Sequence, residues 1–197
     1  MSIIKLLIAV ILLSAMQISA ANAPIVINQK SVGPITKNTP YDVKILQRLL
    51  PNFEVKKGVS KSEGITYDTI IVYSQNKPQF TIVPKEQNNK KSIYLISSKS
   101  KLLKDSIGAA IGSTFSSVYA TSKTPQCMPA QEEMSGLEMC SSPHAKNIVY
   151  VFAKNKSWHG PDNTVPPLNV LKDWKLREVI WMANDKHTFK NGQYPRV

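Results

Sequence analysis

Short runs of β-branched and aromatic residues, separated by polar turns, constrain the fold of this chain more than any other feature. Residues 66–73 form the longest run, and a polar turn at 74–77 leads into a second run at 79–83. Two such runs joined by a short turn predict a β-hairpin. Further runs of this kind occur at residues 53–56, 92–96, 148–152 and 175–181. Strands in meander order, with helices inserted rather than alternating, predict an α+β fold built mainly on a twisted antiparallel sheet.

Two short helices are expected among these strands. Thr39 can cap a helix because its hydroxyl accepts from a free first-turn amide, and Pro40 suits the first helical position. Apolar residues on one helical face follow: Val43, Leu46, Leu49 and Leu50. The pattern predicts a helix over residues 39–50. A second cap, Thr114, predicts a shorter helix over residues 114–121.

The chain has two cysteines, Cys127 and Cys140. In an oxidising compartment a lone pair most simply forms a disulfide, and a loop of this length would add about 3 kcal/mol of stability. Free thiols are the alternative. The Cys-x-x-Cys spacing of redox motifs is absent, which favours a structural bridge.

The amino-terminal residues resemble a secretory signal peptide. Lys5 precedes an unbroken apolar run at 6–13, and small residues follow at 19–23. This pattern predicts a leader over residues 1–20, cleaved near Ala20/Ala21. A buried helix is the alternative. The run is far shorter than the roughly 20 residues that cross a membrane, and no cysteine for lipid attachment lies near the exit. We expect an exported protein with no transmembrane segment after processing, one α+β domain over 21–184, and a loose tail over 185–197.

The charge balance is strongly basic. The formal net charge is +12 at pH 7, and the isoelectric point is near 9.7. Such a charge attracts anionic partners, which for an exported protein means acidic glycans or lipid headgroups. Nucleic acid belongs to another compartment and is not expected as a partner. Arginine, which favours bidentate phosphate contacts, is scarce. The excess therefore resembles a diffuse lysine surface, and the alternative is that it only keeps the protein soluble.

One group of lysines is a candidate site for an anionic ligand. It spans a predicted turn and both flanks of the strand at 92–96, so its members could form one positive rim. The group consists of Lys85, Lys90, Lys91, Lys99, Lys101 and Lys104. Lysines at a sheet edge also block aggregation between sheets, which is an equally good explanation.

Evidence for catalysis is sparse. His159 and Asp162 lie three residues apart in a predicted turn and could form a His–Asp pair. No nucleophile motif accompanies them, and no histidine or cysteine spacing indicates a metal site. We therefore expect no catalytic residue, no metal and no cofactor, with this pair as a weak alternative site. The three tryptophans are expected in the core, with a carbohydrate-stacking platform as the alternative.

Several motifs of the C-terminal half carry a family resemblance. They are residues 111–119, the two cysteines, the run at 148–152, Trp-His-Gly-Pro at 158–161, and residues 171–181. In this set the chain resembles the RpoE-regulated lipoprotein family, a domain-of-unknown-function family of Gram-negative envelopes. The resemblance implies one envelope domain, bridged by the two cysteines, and no established activity. The chain departs from it in lacking a lipidated cysteine, and His159 stands where relatives carry arginine.

Together these features predict an exported envelope or periplasmic protein with a non-enzymatic binding role, linked to envelope stress. Its partner would be an anionic glycan or lipid of the envelope. One alternative is a cell-wall-acting hydrolase that uses His159 and Asp162. The other is a protein-interaction module that docks on another envelope protein through an exposed sheet edge.

Overall fold

The computed structural model describes residues 23–62, 64–85, 92–120, 125–131, 134–154, 158, 160–161 and 164–184. The predicted leader and tail, Lys90, Lys91, His159 and Asp162 lie outside these residues. The strands are β1 (Ile25–Ile27), β2 (Ser31–Val32), β3 (Ile35–Thr36), β4 (Glu54–Ser62), β5 (Ile65–Ser74), β6 (Lys77–Pro84), β7 (Ile93–Ser98), β8 (Leu103–Asp105), β9 (Cys127–Pro129), β10 (Leu137–Ser141), β11 (Ile148–Ala153) and β12 (Lys175–Met182). The helices are α1 (Val43–Leu49), α2 (Phe115–Val118) and α3 (Leu168–Leu171).

These strands form two sheets. The large sheet has eight antiparallel strands in the order β4-β5-β6-β7-β12-β11-β10-β9. The small sheet has the order β3-β2-β1-β8, and its β1–β8 pair is parallel. The predicted α+β class, dominated by antiparallel strands, is therefore confirmed. The described residues hold three helices rather than two, because α3 follows Pro167 without a side-chain cap that the sequence could reveal.

The main core lies on one face of the large sheet and includes residues of the small sheet and of α1. Tyr150, Phe152 and Trp181 of the large sheet share this cluster with Ile27 and Leu46. All five are almost completely buried. Since α1 and the small sheet both contribute to it, this core holds the two sheets together.

The prediction that the tryptophans belong to the core is confirmed for Trp174 and Trp181. Trp174 and Trp181 are buried, and Trp158 packs against the same cluster while remaining partly accessible. A Cβ on Gly160 would lie 2.0 Å from the Trp158 ring. Any side chain at Gly160 would therefore displace that ring.

The opposite face of the large sheet carries a second apolar cluster. Its buried members include Val83, Leu95, Met139, Val151 and Ile180. The central strands are thus buried on both faces, which explains why residues 148–152 are continuously apolar rather than alternating.

The two predicted helices differ in how well the sequence located them. α2 begins after Thr114, whose hydroxyl accepts from Ser117 N at 3.1 Å, so this cap is confirmed. The predicted start of α1 at Thr39 is wrong. Asp42 caps α1 by accepting from Ile45 N at 2.9 Å, whereas the Thr39 hydroxyl accepts from Thr36 N in the preceding turn.

The predicted hairpin is confirmed as β5 and β6. Gln75 and Asn76 at its turn have φ angles of 50° and 59°. Positive φ at both central residues gives a turn whose twist matches that of the flanking strands. β4 continues to Ser62, well beyond the predicted strand at 53–56, because β5 supplies partners along its whole length.

Candidate functional site

The predicted disulfide joins two neighbouring strands near one edge of the large sheet. Cys127 on β9 lies directly opposite Cys140 on β10, and their sulfur atoms are bonded. β9 is only three residues long, so the covalent bond holds a strand that few hydrogen bonds could hold alone.

The described lysines of the predicted rim lie at both ends of β7. Lys85 follows β6, and its amide donates to Ser92 O at 3.0 Å beside the start of β7. Lys99 and Lys101 follow the other end of this strand. Six extended residues span about 17 Å, so Lys85 is not adjacent to the other two. Lys90 and Lys91 lie outside the described residues, and binding by the whole set stays a prediction.

The remaining members of this set differ in their surroundings. Lys99 Nζ lies 3.5 Å from Glu178 Oε2, so part of its charge is matched. Lys104 is exposed on β8, next to the exposed Val26 of β1. Lys101 and Lys104 make no ion pair with the described residues and present unmatched positive charge there.

The weak alternative site cannot be assembled from the described residues, because His159 and Asp162 both lie outside them. A hydrolase that uses this pair stays a prediction. Within the described ranges, no group of three or more His, Cys, Asp or Glu side chains could hold a metal ion. None of the helices in the same ranges has the length and apolar character needed to span a membrane.

A buried polar network joins the two sheets. The Tyr150 hydroxyl donates to Asp105 Oδ2 and lies 3.3 Å from Ser142 Oγ, while Asp105 Oδ1 accepts from Ile107 N at 2.5 Å. Tyr119 donates to Ser141 O at 2.8 Å beside this group. Burial, followed by the charge of Asp105, raises the pKa of the Tyr119 hydroxyl; burial and the hydrogen bond to Asp105 do the same for Tyr150. Both phenols therefore stay protonated and act as donors.

Glu138 is a second buried acidic group, on β10 opposite Pro129 and Phe152. Only 1% of the residue is exposed, and Oε1 has no hydrogen-bond partner among the described residues. Burial raises the pKa of this carboxyl to about 7. Below pH 7 the uncharged acid is therefore the favoured state of this group.

The charges of the molecule are thus divided between interior and surface. Asp105, Glu138 and Glu178 are buried although carboxylates are usually exposed. The exposed lysines are opposed by fewer accessible carboxylates than the total of 13 acidic residues suggests. Exposed lysines therefore outnumber exposed carboxylates on the described surface.

The free edge of the large sheet is the other feature that could bind a partner. Within the described residues β4 pairs only with β5. At its start the Gln47 side chain of α1 covers the edge: Nε2 donates to Phe53 O at 2.7 Å, and Oε1 accepts from Val55 N at 3.0 Å. The amide of Val55 therefore points away from β5, and the remainder of the edge begins after it.

The distal part of the β4–β5 hairpin extends past the described pairing of β5 with β6. β4 and β5 pair from Glu54↔Tyr73 to Ser62↔Ile65, whereas the pairing of β5 with β6 starts only at Ile70. Val59 is 61% exposed and Ile65 is 67% exposed on this extension. The sequence does not reveal this extension of β4, because the extension is rich in lysine, glycine and serine rather than in apolar residues. Lys57, Val59 and Lys61 occupy every second position, and this spacing was the sequence pattern that could have indicated a longer strand.

Comparison with known proteins identifies the family. The family model described as "Protein of unknown function (DUF1131)" matches residues 14–183. The chain belongs to the DUF1131 family. The predicted resemblance was to an envelope-protein family of unknown function. The match confirms one part of it, namely that the chain belongs to a family of unknown function.

One relative with a similar sequence is the uncharacterized protein YfeY of Escherichia coli (strain K12). The two chains are 22% identical over 156 residues, which cover 79% of this DUF1131 chain and 78% of YfeY. The crystal structure of yfeY from Escherichia coli superposes with a TM-score of 0.62 at 21% identity, and covers 81% of this chain and 99% of the other. The two proteins therefore share a fold.

Proposed function

We propose that this protein is an exported binding protein of the bacterial cell envelope. It works without catalysis, and its basic surface engages an anionic component of the envelope, either a glycan or a lipid headgroup. A role under envelope stress is part of this proposal, and it rests on the resemblance to RpoE-regulated lipoproteins.

The burial of carboxylates is the observation that carries the binding proposal. Asp105 and Glu138 are directed inward while lysines such as Lys101 and Lys104 remain exposed. The exposed lysines outnumber the exposed carboxylates among the described residues, and the resulting positive potential concentrates anions near the protein.

Export is supported by two independent features. The pattern of residues 1–20 is that of a cleavable leader. The bond between Cys127 and Cys140 is of a kind that persists in oxidising compartments such as the periplasm.

Export is tested by fractionating cells of a Gram-negative host that expresses the full chain. We expect the protein in the periplasmic or envelope fraction, with a mature start near Ala21 and both cysteines resistant to alkylation. A cytoplasmic protein that retains Met1 and has both thiols free would overturn export.

Binding is tested by sedimentation with vesicles of anionic phospholipid and, separately, with lipopolysaccharide, over a range of salt concentrations. The double variant Lys101→Glu/Lys104→Glu should bind several-fold more weakly, and wild-type binding should fall as salt screens the charges. Lys172→Glu is the control, because Lys172 is an exposed lysine that follows α3 and lies outside the candidate group of lysines. Absence of salt-sensitive binding to both materials would overturn the proposal.

A further inference from the structure

The outer edge of β4 is long, and the described residues cover only part of it. A free strand edge offers unpaired amides and carbonyls, so proteins usually shorten it, interrupt it with proline or cover it. The opposite edge of the large sheet follows this rule: β9 has three residues, includes Pro129 and is tied down by a disulfide. β4 has nine residues, and Gln47 covers only its first part.

The groups that face outward from the uncovered part can be assigned from the register. Val55 N points away from β5, since it donates to Gln47. In an antiparallel pair the outward direction recurs at every second residue, and the β4–β5 register is unbroken. The amides and carbonyls of Lys57, Val59 and Lys61 therefore face away from the sheet, ready to pair with an added strand.

The side chains of the same three residues give this edge a chemical character. They lie on one face of β4, because side chains alternate along a strand. Lys57 and Lys61 are exposed and make no ion pair in the described part of the chain, whereas Lys56 is matched by Glu54 at 2.7 Å. Asp68 on β5 is exposed directly opposite Val59, on the same face as the two lysines, and it has interactions of its own. The edge thus presents an apolar residue between two ammonium groups that have no ion-pair partner among the described residues.

We propose that the edge of β4 from Lys57 to Lys61 binds an extended acidic segment of a partner protein as an additional strand. The segment would alternate acidic, apolar and acidic side chains on the face toward Lys57, Val59 and Lys61. Backbone hydrogen bonds supply the affinity, and the cross-strand pairs select the sequence.

The lysines serve this selection and also oppose pairing between copies of the chain. Two lysine-bearing edges repel each other, which opposes association of one protein copy with another. An acidic strand is attracted by the same charges. Lys57 and Lys61 therefore attract the acidic partner and also repel a second copy of the chain. This proposal does not rest on the proposed glycan or lipid binding, which involves lysines elsewhere.

The test uses a fluorescent capped peptide with glutamate, valine and glutamate at alternate positions in a threonine background. Binding to the purified chain is followed by anisotropy, and amide protection is followed by hydrogen exchange. We expect binding that newly protects the amides of Lys57, Val59 and Lys61. A peptide with lysine in place of both glutamates should not bind.

Val59→Pro is the decisive variant. It removes one outward amide and leaves the β4–β5 hydrogen bonds in place, since proline is tolerated where the amide faces outward on an edge. Binding should weaken by about tenfold or more, as expected for a lost hydrogen bond and a blocked strand. Val59→Thr retains the amide and is the matched control, with affinity near that of the wild type.

The charge-reversal variant Lys57→Glu/Lys61→Glu tests whether the two lysine charges select the peptide. Its circular dichroism spectrum reports whether the variant folds. We expect it to lose the acidic peptide and to bind the lysine peptide instead. If Val59→Pro binds the acidic peptide as well as Val59→Thr does, or if the three outward amides gain no protection, strand addition is wrong and only unspecific charge attraction remains. Vesicle or lipopolysaccharide binding by Val59→Pro should be unchanged, so the failure of either proposal can be recognised separately.

Discussion

The hydroxyl of Tyr150, on β11 of the large sheet, donates a hydrogen bond to the carboxylate of Asp105, the last residue of β8 in the small sheet. Both residues are buried, so water cannot replace either partner. This contact connects two sheets that share no strand pair in the described part of the chain.

Tyr150→Phe should destabilise the protein by roughly 2 kcal/mol, because the buried Asp105 carboxylate loses a donor while the aromatic ring remains. The measurement is urea unfolding at neutral pH. Tyr73→Phe is the control, since Tyr73 lies on β5 with no hydroxyl hydrogen bond to the described residues; a change within about 0.5 kcal/mol is expected. Equal effects of the two substitutions would contradict a structural role for the Tyr150–Asp105 bond.

Glu138 should make stability depend on pH. Its pKa is raised from 4.5 to about 7 in the folded protein, so the native state binds more protons than the unfolded state between these values. Stability is therefore highest below about pH 4.5 as far as this group is concerned, and falls as pH rises toward 7.

Glu138→Gln removes this titration. Above pH 7 the variant should be more stable than the wild type by roughly 1 to 3 kcal/mol, and the advantage should shrink toward pH 5. Thermal unfolding across this range is the measurement, with the exposed Glu54→Gln as control. A difference between Glu138→Gln and wild type that is the same at pH 5 and pH 8 would show that Glu138 does not titrate in this window.

The disulfide should contribute about 3 kcal/mol, because it closes a loop between residues 13 positions apart. Cys127→Ala/Cys140→Ala should unfold at lower denaturant, and reduction should destabilise the wild type by a similar amount. The same reductant applied to the double variant is the control and should have no effect. A wild type that is insensitive to reduction would contradict a stabilising bridge.

Gln47→Ala should cost about 1 to 2 kcal/mol, since Phe53 O and Val55 N lose their partners at the start of β4. The longer free edge should also increase self-association, measured by light scattering on heating. Arg48→Ala, its exposed neighbour on α1, is the matched control. Scattering equal to that of Arg48→Ala would show that Gln47 does not protect the edge.

Sequence reasoning located the strands that carry strong apolar patterns. The runs at 66–73, 79–83 and 148–152 appear as β5, β6 and β11. It missed the strands of the small sheet, because β2 and β3 contain two residues each and no periodicity can be recognised over such a length. β8 was missed for the same reason at three residues.

The helix starts show where local chemistry is ambiguous. Thr39 and Asp42 are both good caps by residue type, and Pro40 favours a start at Thr39. In the fold Pro40 forms a β-bridge with Ser92, a residue distant in sequence. That contact holds residues 39–40 extended, so Asp42 becomes the cap.

The sequence alone determined the strand-dominated fold class, the pairing of Cys127 with Cys140 and the core position of Trp174 and Trp181, because each follows from local pattern or from the absence of another partner. The tertiary structure decided which carboxylates are buried and which stretch of sheet edge stays open. The burial of Asp105 beside Tyr150 depends on residues from different elements, and so does the contact of Gln47 with β4. Hydrogen bonds between residues that are distant in sequence produce no periodic pattern from which they could be predicted.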